Sequence, residues 1–247
     1  MADWNDTGRR QTGFSSVPRA GDAVARLETF DAGLRSHMLS IYNYMASGVL
    51  LTGIVAMLTY QSGLAVNFAS GPLMWIVALS PLAFVMAMSF GLNKMSRGTL
   101  QILFWAFATV MGLSLSTIFL RFTGESIAAT FFATAGAFAG LSLFGYTTKK
   151  DLSGMGTFLV MGVIGLLIAM VINMFLGSST LGLVISFLGV LIFAGLTAYD
   201  TQRLKREYEY LRGTEFVGKA VIMGALSLYL DFINMFLFLL RFMGSRE

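Results

Sequence analysis

The sequence predicts an all-α membrane protein with seven transmembrane helices. Of the 247 residues, 56% are hydrophobic and only 12% are charged, which is about half the charged fraction of an average soluble domain. The mean hydropathy is +0.73. The apolar residues also form runs near the length of about 20 residues that a helix needs to cross the hydrocarbon core. Strands of a membrane β-barrel would be about half as long and would alternate in polarity.

The chain begins with a polar segment, residues 1–38, which we expect to be a flexible cytoplasmic tail. It lacks the sustained apolar run of a cleaved signal peptide. A short amphipathic helix from Asp22 to Leu34, lying on the membrane surface, is the alternative. We expect His37, at the end of this segment, to be a solvated flanking residue, with pH sensing as the other interpretation.

Seven apolar segments follow and form one transmembrane domain, residues 39–247. Only Gly177 to Thr180 separate the fifth segment from the sixth, which predicts a tight antiparallel hairpin. Gly213 lies where the sixth helix should end before the seventh. The predicted spans are residues 39–60, 72–92, 99–120, 126–146, 155–176, 181–201 and 217–242.

The loops between these spans differ in charge. Fourteen of the 17 lysines and arginines fall in the tail and in alternate loops on one side. The other side has Arg121, Arg241 and Arg246. The positive-inside rule therefore predicts a cytoplasmic N-terminus and, after seven crossings, a C-terminus outside.

Small residues predict where helices pack closely. Gly136 and Gly140 are four residues apart in the fourth span, a spacing that lets two helix backbones approach one another. We therefore expect a helix contact at this pair.

An acidic residue, Asp231, lies inside the apolar seventh span. A carboxylate at this depth costs about 2.5–3.5 kcal/mol on insertion scales, so it normally faces the protein interior or water. The polar residues of this helix recur at steps of three, four and seven and so share one face, which we expect to be interior. They are Gly224, Ser227, Asp231, Asn234 and Arg241.

The sixth span has a similar stripe that ends in a second acid, Asp200. Its members are Gly182, Ser186, Gly189, Phe193, Thr197 and Asp200. Counted from Gly213, Asp200 lies 13 residues back and Asp231 lies 18 residues forward. At about 1.5 Å of rise per residue, the two acids differ in height by only about 7 Å. They are therefore expected to lie close together, the alternative being that Asp200 is a solvated acid paired with Arg203.

Other classes of protein fit the sequence poorly. The basic residues lie in short loops without a patch for nucleic acid, and no cofactor or nucleotide-binding motif occurs. With no cysteine and no HExxH motif, thiolate chemistry and zinc-dependent intramembrane proteolysis are excluded. An intramembrane aspartyl protease is disfavoured because Asp231 follows Leu-Tyr-Leu, not the Gly-x-Gly of those enzymes. We therefore expect a non-enzymatic protein.

Two long motifs resemble a known family. GLTAYDTQRLK (Gly195 to Lys205) and MGALSLYLDFINMFLFLLRFMG (Met223 to Gly244) are similar to the C-terminal signature of the Bax inhibitor-1 family, also called the TMBIM family. The likeness continues upstream in GYTTKKDLSGMGTFL (Gly145 to Leu159) and MGLSLSTI (Met111 to Ile118). It covers nearly all of the apolar region.

The resemblance implies a bacterial inner-membrane protein whose last helix is central and wrapped by the other six. Relatives are described as pH-sensitive calcium leak channels gated by a pair of aspartates, which correspond here to Asp200 and Asp231. Some relatives have an arginine near the cytoplasmic end of the second helix that pairs with an aspartate. At that place this chain offers Lys94 and Arg97 as basic gate partners.

A physical argument agrees with such a gate. Two close carboxylates in a low-dielectric bundle are expected to share one proton, which would hold the sixth and seventh helices together. Full ionisation would separate the helices or admit a cation. Calcium, the expected permeant ion, would bind weakly to Asp200 and Asp231, with Asn234, Ser227 and Thr197 as supporting polar residues. The expected partners are thus the bilayer, calcium and protons.

An interaction protein is the main alternative. It would be embedded in the membrane and would modulate a quality-control protease or a stress or death-pathway partner. The aspartates would then only stabilise packing.

Overall fold

The computed structural model describes the backbone of residues 20–245 and the side chains of residues 30–245. The first part of the predicted tail, residues 1–19, lies outside these residues. The chain divides into two units, 1–36 and 37–247. Helix α1 (Ala20–Gln61) begins in the first unit, so it includes the predicted short helix and starts well before residue 39.

Helices make up nearly all of the described chain. Seven of them are long and apolar enough to cross a membrane, which confirms the predicted fold class. One further α-helix, directly after α1, is too short to cross a membrane. The remaining helices are α2 (Leu64–Phe68), α3 (Gly71–Gly91), α4 (Arg97–Leu115), α5 (Gly124–Thr147), α6 (Ser153–Leu176), α7 (Ser179–Leu211) and α8 (Val217–Met243).

Helix α7, the sixth span, continues about ten residues beyond its predicted end. These residues are polar, yet they are held by contacts outside the apolar run. The side-chain amide of Gln202 donates to the carbonyl of Lys150 and accepts from the N–H of Leu152, both in the α5–α6 loop. Docking of this loop holds the polar end of α7 in place beyond its apolar run.

The hairpins before and after α7 form as predicted. Gly177 ends α6 with a left-handed φ of 61°, and the Ser178 hydroxyl caps α7 by accepting from the N–H of Leu181. Gly213 adopts φ 81° just after α7. Both turns need a left-handed backbone conformation, which residues with a Cβ atom rarely adopt.

The third span changes its winding near its end. A 3₁₀ segment, Ser116–Leu120, follows α4. There the hydroxyls of Ser116 and Thr117 donate to carbonyls three residues back, at Leu113 and Ser114. Such local bonds compete with the α-helical ladder and favour the tighter turn.

Close helix contact on α5 occurs at a different glycine from the one predicted. Gly136 and Gly140 have open space where a Cβ would lie, so the predicted contact at this pair is wrong. A Cβ added to Gly145, in contrast, would overlap the backbone carbonyl of Ala198 on α7. The spacing of glycines does not reveal how α5 is rotated about its axis.

Helix α8 is the most buried span. In its most apolar stretch 72% of residues are buried, against 11–39% in the other six spans. The wrapping of all six helices around it remains a prediction.

A buried network ties α8 to α1 and α4. The Thr52 hydroxyl donates to the carbonyl of Ala108 at 2.8 Å and lies 2.6 Å from the Tyr229 hydroxyl. Because Thr52 has one hydroxyl proton and uses it on Ala108, Tyr229 must be the donor in the second bond.

His37 differs from the expectation of a solvated residue. Its side chain is buried, its ring centroid lies 5.0 Å from that of Tyr208, and its Nδ1 has no hydrogen-bond partner among the described residues. The prediction of solvation failed because the extended α7 covers this part of α1. Sensing of pH by His37 remains a prediction.

Candidate functional site

Asp200 lies on the buried face of α7, and its carboxylate bridges two helices. Its side chain is 7% exposed. Oδ2 accepts a short hydrogen bond from the Ser227 hydroxyl on α8 and lies 3.3 Å from Nη2 of Arg203, one turn along α7. The same Arg203 nitrogen donates to the Ser227 oxygen at 3.0 Å. The carboxylate, guanidinium and hydroxyl thus form a closed triangle.

Asp231 lies one turn beyond Ser227 on α8. It is 5% exposed, and its Oδ2 has no hydrogen-bond partner in the described part of the chain. The charges of Asp200 and Arg203 both act on it, so the structure brings the two acids within electrostatic range. No hydrogen bond joins the two carboxylates among residues 30–245. We call Asp200, Arg203, Ser227 and Asp231 the aspartate cluster.

A cavity of about 770 Å³ adjoins the aspartate cluster and separates α3 from α7 and α8. Ser227 and Arg203 line it, so the direct partners of Asp200 form part of its wall. The arginine side chain is 46% exposed, whereas the two carboxylates lie behind the wall. We call this space the proximal cavity, because it lies towards the α7–α8 loop. Neither Asp200 nor Asp231 lines this cavity.

The predicted supporting residues differ in what they contact. Ser227 binds Asp200 directly. The Thr197 hydroxyl donates to the carbonyl of Phe193, and the Asn234 amide donates to that of Leu230, so both bond to their own helix. Neither contact reaches an aspartate.

The polar face of α8 is only partly interior. Gly224 and Asp231 are buried, Ser227 and Asn234 are half-buried, and Arg241 is exposed. The most buried side chains, such as Leu228 and Tyr229, lie elsewhere on the helix. Three residues of this face, Gly224, Ser227 and Arg241, line cavities.

The predicted basic gate partners are not at the cluster. Neither Lys94 nor Arg97 forms an ion pair with Asp200 or Asp231 among the described residues. The Arg97 side chain lies against Gly218, in the first turn of α8. Their role as gate partners thus stays a prediction, and Arg203 holds the Asp200 ion pair in this structure. The sequence also allowed Asp200 to be a solvated acid paired with Arg203. The ion pair is present, but the Asp200 side chain is buried.

Sequence reasoning missed Glu207. This residue lines the proximal cavity and interacts electrostatically with both Arg203 and Asp200. The signal was present, because Asp200, Arg203 and Glu207 follow at steps of three and four and must share a helix face. Glu207 lies beyond the predicted end of the sixth span, in the polar extension of α7.

A second ionic contact holds the α5–α6 loop next to the site. Arg206 Nη1 donates to Asp151 Oδ1 at 2.8 Å and to the Ser153 hydroxyl at 2.7 Å. Hydrogen bonds from the backbone N–H and hydroxyl of Ser153 and from the Arg206 guanidinium hold the pKa of the Asp151 carboxyl below its ordinary value of 3.8. The carboxylate therefore stays ionised and keeps Arg206 at the cavity wall.

The site lies within a region that matches a protein-family model. The model, described as "Inhibitor of apoptosis-promoting Bax1", matches residues 34–247. The chain belongs to the Bax inhibitor-1 family. The match includes every member of the aspartate cluster and excludes most of the polar N-terminal segment.

Several bacterial proteins are similar to this chain over most of their length. An uncharacterized protein of Caulobacter vibrioides is 48% identical over 231 residues, 88% of this chain and 91% of the relative. An uncharacterized protein of Rickettsia prowazekii is 46% identical over 91% of this chain and 95% of its own length. The inner membrane protein YbhL of Escherichia coli K12 is 43% identical over 87% of this chain and 94% of its own length.

Proposed function

We propose that this protein is a passive calcium leak channel of the bacterial inner membrane, modulated by protons at the aspartate cluster. The observation that carries the proposal is Asp231, a buried acid with an unpartnered carboxylate oxygen, next to a second buried acid and a cavity. A buried carboxylate oxygen without a partner is costly in free energy. We therefore expect a proton, a water molecule or a cation to bind it.

Charge counting explains how protons and calcium would compete. Two ionised aspartates and one arginine have a net charge of −1, and one shared proton makes the cluster neutral. A calcium ion entering the cluster would be attracted by the two carboxylates and would displace that proton. Higher pH would therefore favour calcium entry, and lower pH would favour the closed, neutral cluster.

The contacts around the cluster support a closed resting state. Ser227 binds Asp200 across the α7–α8 contact, which holds the two helices together. Further along the same helices, Phe193 stacks on Phe238 with ring centroids 5.8 Å apart, and Phe238 covers Gly189. An ion path between α7 and α8 would have to pass this apolar contact, which would block hydrated ions until the helices separate.

Location and orientation belong to the same proposal. The Escherichia coli relative is named an inner membrane protein, and the distribution of lysine and arginine favours a cytoplasmic N-terminus and an external C-terminus. The proximal cavity would then open on the cytoplasmic side. The names of the family and of its relatives suggest a non-enzymatic membrane protein.

Calcium flux into dye-loaded proteoliposomes tests the function. We expect the wild-type flux to rise with pH around neutrality. Asp200→Asn and Asp231→Asn should each flatten this dependence, and the double variant should add little because the two residues act as one unit. Glu215→Gln, which removes an exposed acid in the α7–α8 loop that does not line the proximal cavity, is the matched control and should keep the wild-type profile.

Two results would count against the proposal. If the double variant keeps the wild-type pH dependence, the aspartate cluster is not the gate. If wild-type vesicles show no calcium flux, the chain is not a leak channel. The family description as an inhibitor would then favour the second candidate, a membrane-embedded protein that modulates a protease or another membrane partner.

A further inference from the structure

A second large cavity lies at the opposite end of α7 and α8 from the aspartate cluster. Its volume is about 1070 Å³, and it is formed where α6 and α8 end and where α7 begins. We call it the distal cavity. Its polar wall consists of Arg121, Asn173, Ser178, Ser179, Ser186 and Arg241. It takes no part in the proposed calcium gate.

Two of the few basic residues at this end of the molecule meet in the distal cavity. The charges of Arg121 and Arg241 act on each other. No acidic side chain among the described residues lines the cavity, and neither arginine forms an ion pair there. Among the described residues, the Arg241 guanidinium has one weak contact, 3.9 Å from Nη1 to the Met170 sulfur. Two neighbouring cations that have no counter-ion among the described residues attract an anion.

The start of α7 adds neutral donors to the same wall. The Ser178 hydroxyl caps the N–H of Leu181, and the carbonyl of Ser178 accepts from Gly182. Backbone N–H groups at the start of α7, among them that of Ser179 in the cavity wall, have no partner among the described residues, as is usual for the first turn of a helix. Together with the positive end of the helix dipole, they favour a negatively charged ligand.

Asn173 contributes one more donor. Its Oδ1 accepts from the backbone N–H of Ser178, which fixes the orientation of the amide. The Nδ2 group is then directed towards Gly182, and a Cβ at that glycine would lie 3.4 Å from it. The cavity thus presents guanidinium, amide and backbone donors from three different helices.

We propose that the distal cavity binds one phosphate group, carried by an anionic phospholipid or free in solution. Guanidinium groups bind phosphate oxygens in pairs and with fixed geometry. The apolar surroundings suit a lipid, because Met174 and Leu183 line the same cavity and are 64% and 50% exposed. Acyl chains would cover these side chains while the headgroup phosphate meets the arginines.

Native mass spectrometry of the full chain in detergent tests the site. Phosphatidylglycerol is compared with a diacylglycerol that has the same acyl chains and no phosphate. We expect wild-type protein to retain phosphatidylglycerol. Arg121→Gln and Arg241→Gln should each weaken retention about tenfold, and together about a hundredfold. Lys149→Gln, which removes an exposed charge at the other end of the molecule, should bind as wild type does.

Inorganic phosphate separates the two sources of the ligand. If it displaces the lipid and raises the thermal stability of the wild-type protein but not of the double variant, the site takes free phosphate. If only phosphatidylglycerol is retained, the site is a headgroup site. Equal retention of phosphatidylglycerol by the wild type and the double variant, with no effect of inorganic phosphate on either, would overturn the proposal.

Discussion

Ser227 on α8 donates a hydrogen bond to the carboxylate of Asp200 on α7, and its own oxygen accepts one from Arg203. One hydroxyl therefore links the ion pair of one helix to the helix that contains Asp231. Both bonds involve charged groups, which makes them stronger than bonds between neutral groups.

Ser227→Ala should destabilise the α7–α8 contact. Removal of the hydroxyl leaves Asp200 with Arg203 alone, and we expect a loss of about 1.5–3 kcal/mol, the range of hydrogen bonds to charged groups. Thermal unfolding in detergent measures it. Ser89→Ala is the control, since Ser89 also lines the proximal cavity but is exposed on α3. Equal stability of the two variants would contradict the role given to Ser227.

The Thr52–Tyr229 network predicts an unequal pair of effects. Tyr229→Phe removes a donor but leaves Thr52 bound to Ala108, so we expect a cost of about 0.5–1 kcal/mol. Thr52→Val removes the hydrogen-bond partner of both the Tyr229 hydroxyl and the Ala108 carbonyl. It should therefore cost about 1–3 kcal/mol.

A double-mutant cycle in unfolding experiments checks this network. The double variant should lose less than the sum of the two single losses, because the unpaired tyrosine hydroxyl is gone. Strictly additive losses would show that the two hydroxyls do not interact.

Gly145 and Gly140 provide a matched pair on α5. Gly145→Ala would push a methyl group into the carbonyl of Ala198 on α7, and we expect a loss of about 1–3 kcal/mol from overpacking. Gly140→Ala meets open space and should be neutral or slightly stabilising. The thermal stabilities of the two variants, measured side by side, test this prediction. Equal values would contradict the close approach of α5 to α7.

The contact of Asp151 predicts a dependence on acid. Its folded pKa is lowered by Ser153 and Arg206, so its contribution to stability is present above the ordinary value of 3.8 and is lost as pH falls through the lower folded pKa. The stability difference between wild type and Asp151→Asn should therefore be constant near neutrality and shrink in strong acid. The effect should be small because the carboxyl is exposed. A difference that grows on acidification would reverse the predicted sign.

The positions of the two acids illustrate how much of the site follows from spacing. Helical periodicity places Asp200 and Asp231 on defined faces, and the turn at Gly213 sets their heights along the antiparallel pair. In the structure, the face of α7 that contains Asp200 and the face of α8 that contains Asp231 are both directed towards the contact between these helices. Periodicity says nothing about which side chains lie between them, so the bridging role of Ser227 and the cavity position of Glu207 emerge only from the packed helices.

What the sequence alone determined is the class of fold, the seven spans and the tight turns at Gly177 and Gly213. These features follow from constraints that act along the chain: the thickness of the bilayer, the cost of burying charge and the backbone freedom of glycine. The tertiary structure decided that α5 approaches α7 at Gly145 and not at Gly136 and Gly140, that Arg203 pairs with Asp200, and that Arg121 meets Arg241. Those contacts depend on the rotation of each helix about its axis and on neighbours distant in sequence, which are settled only when all the helices pack together.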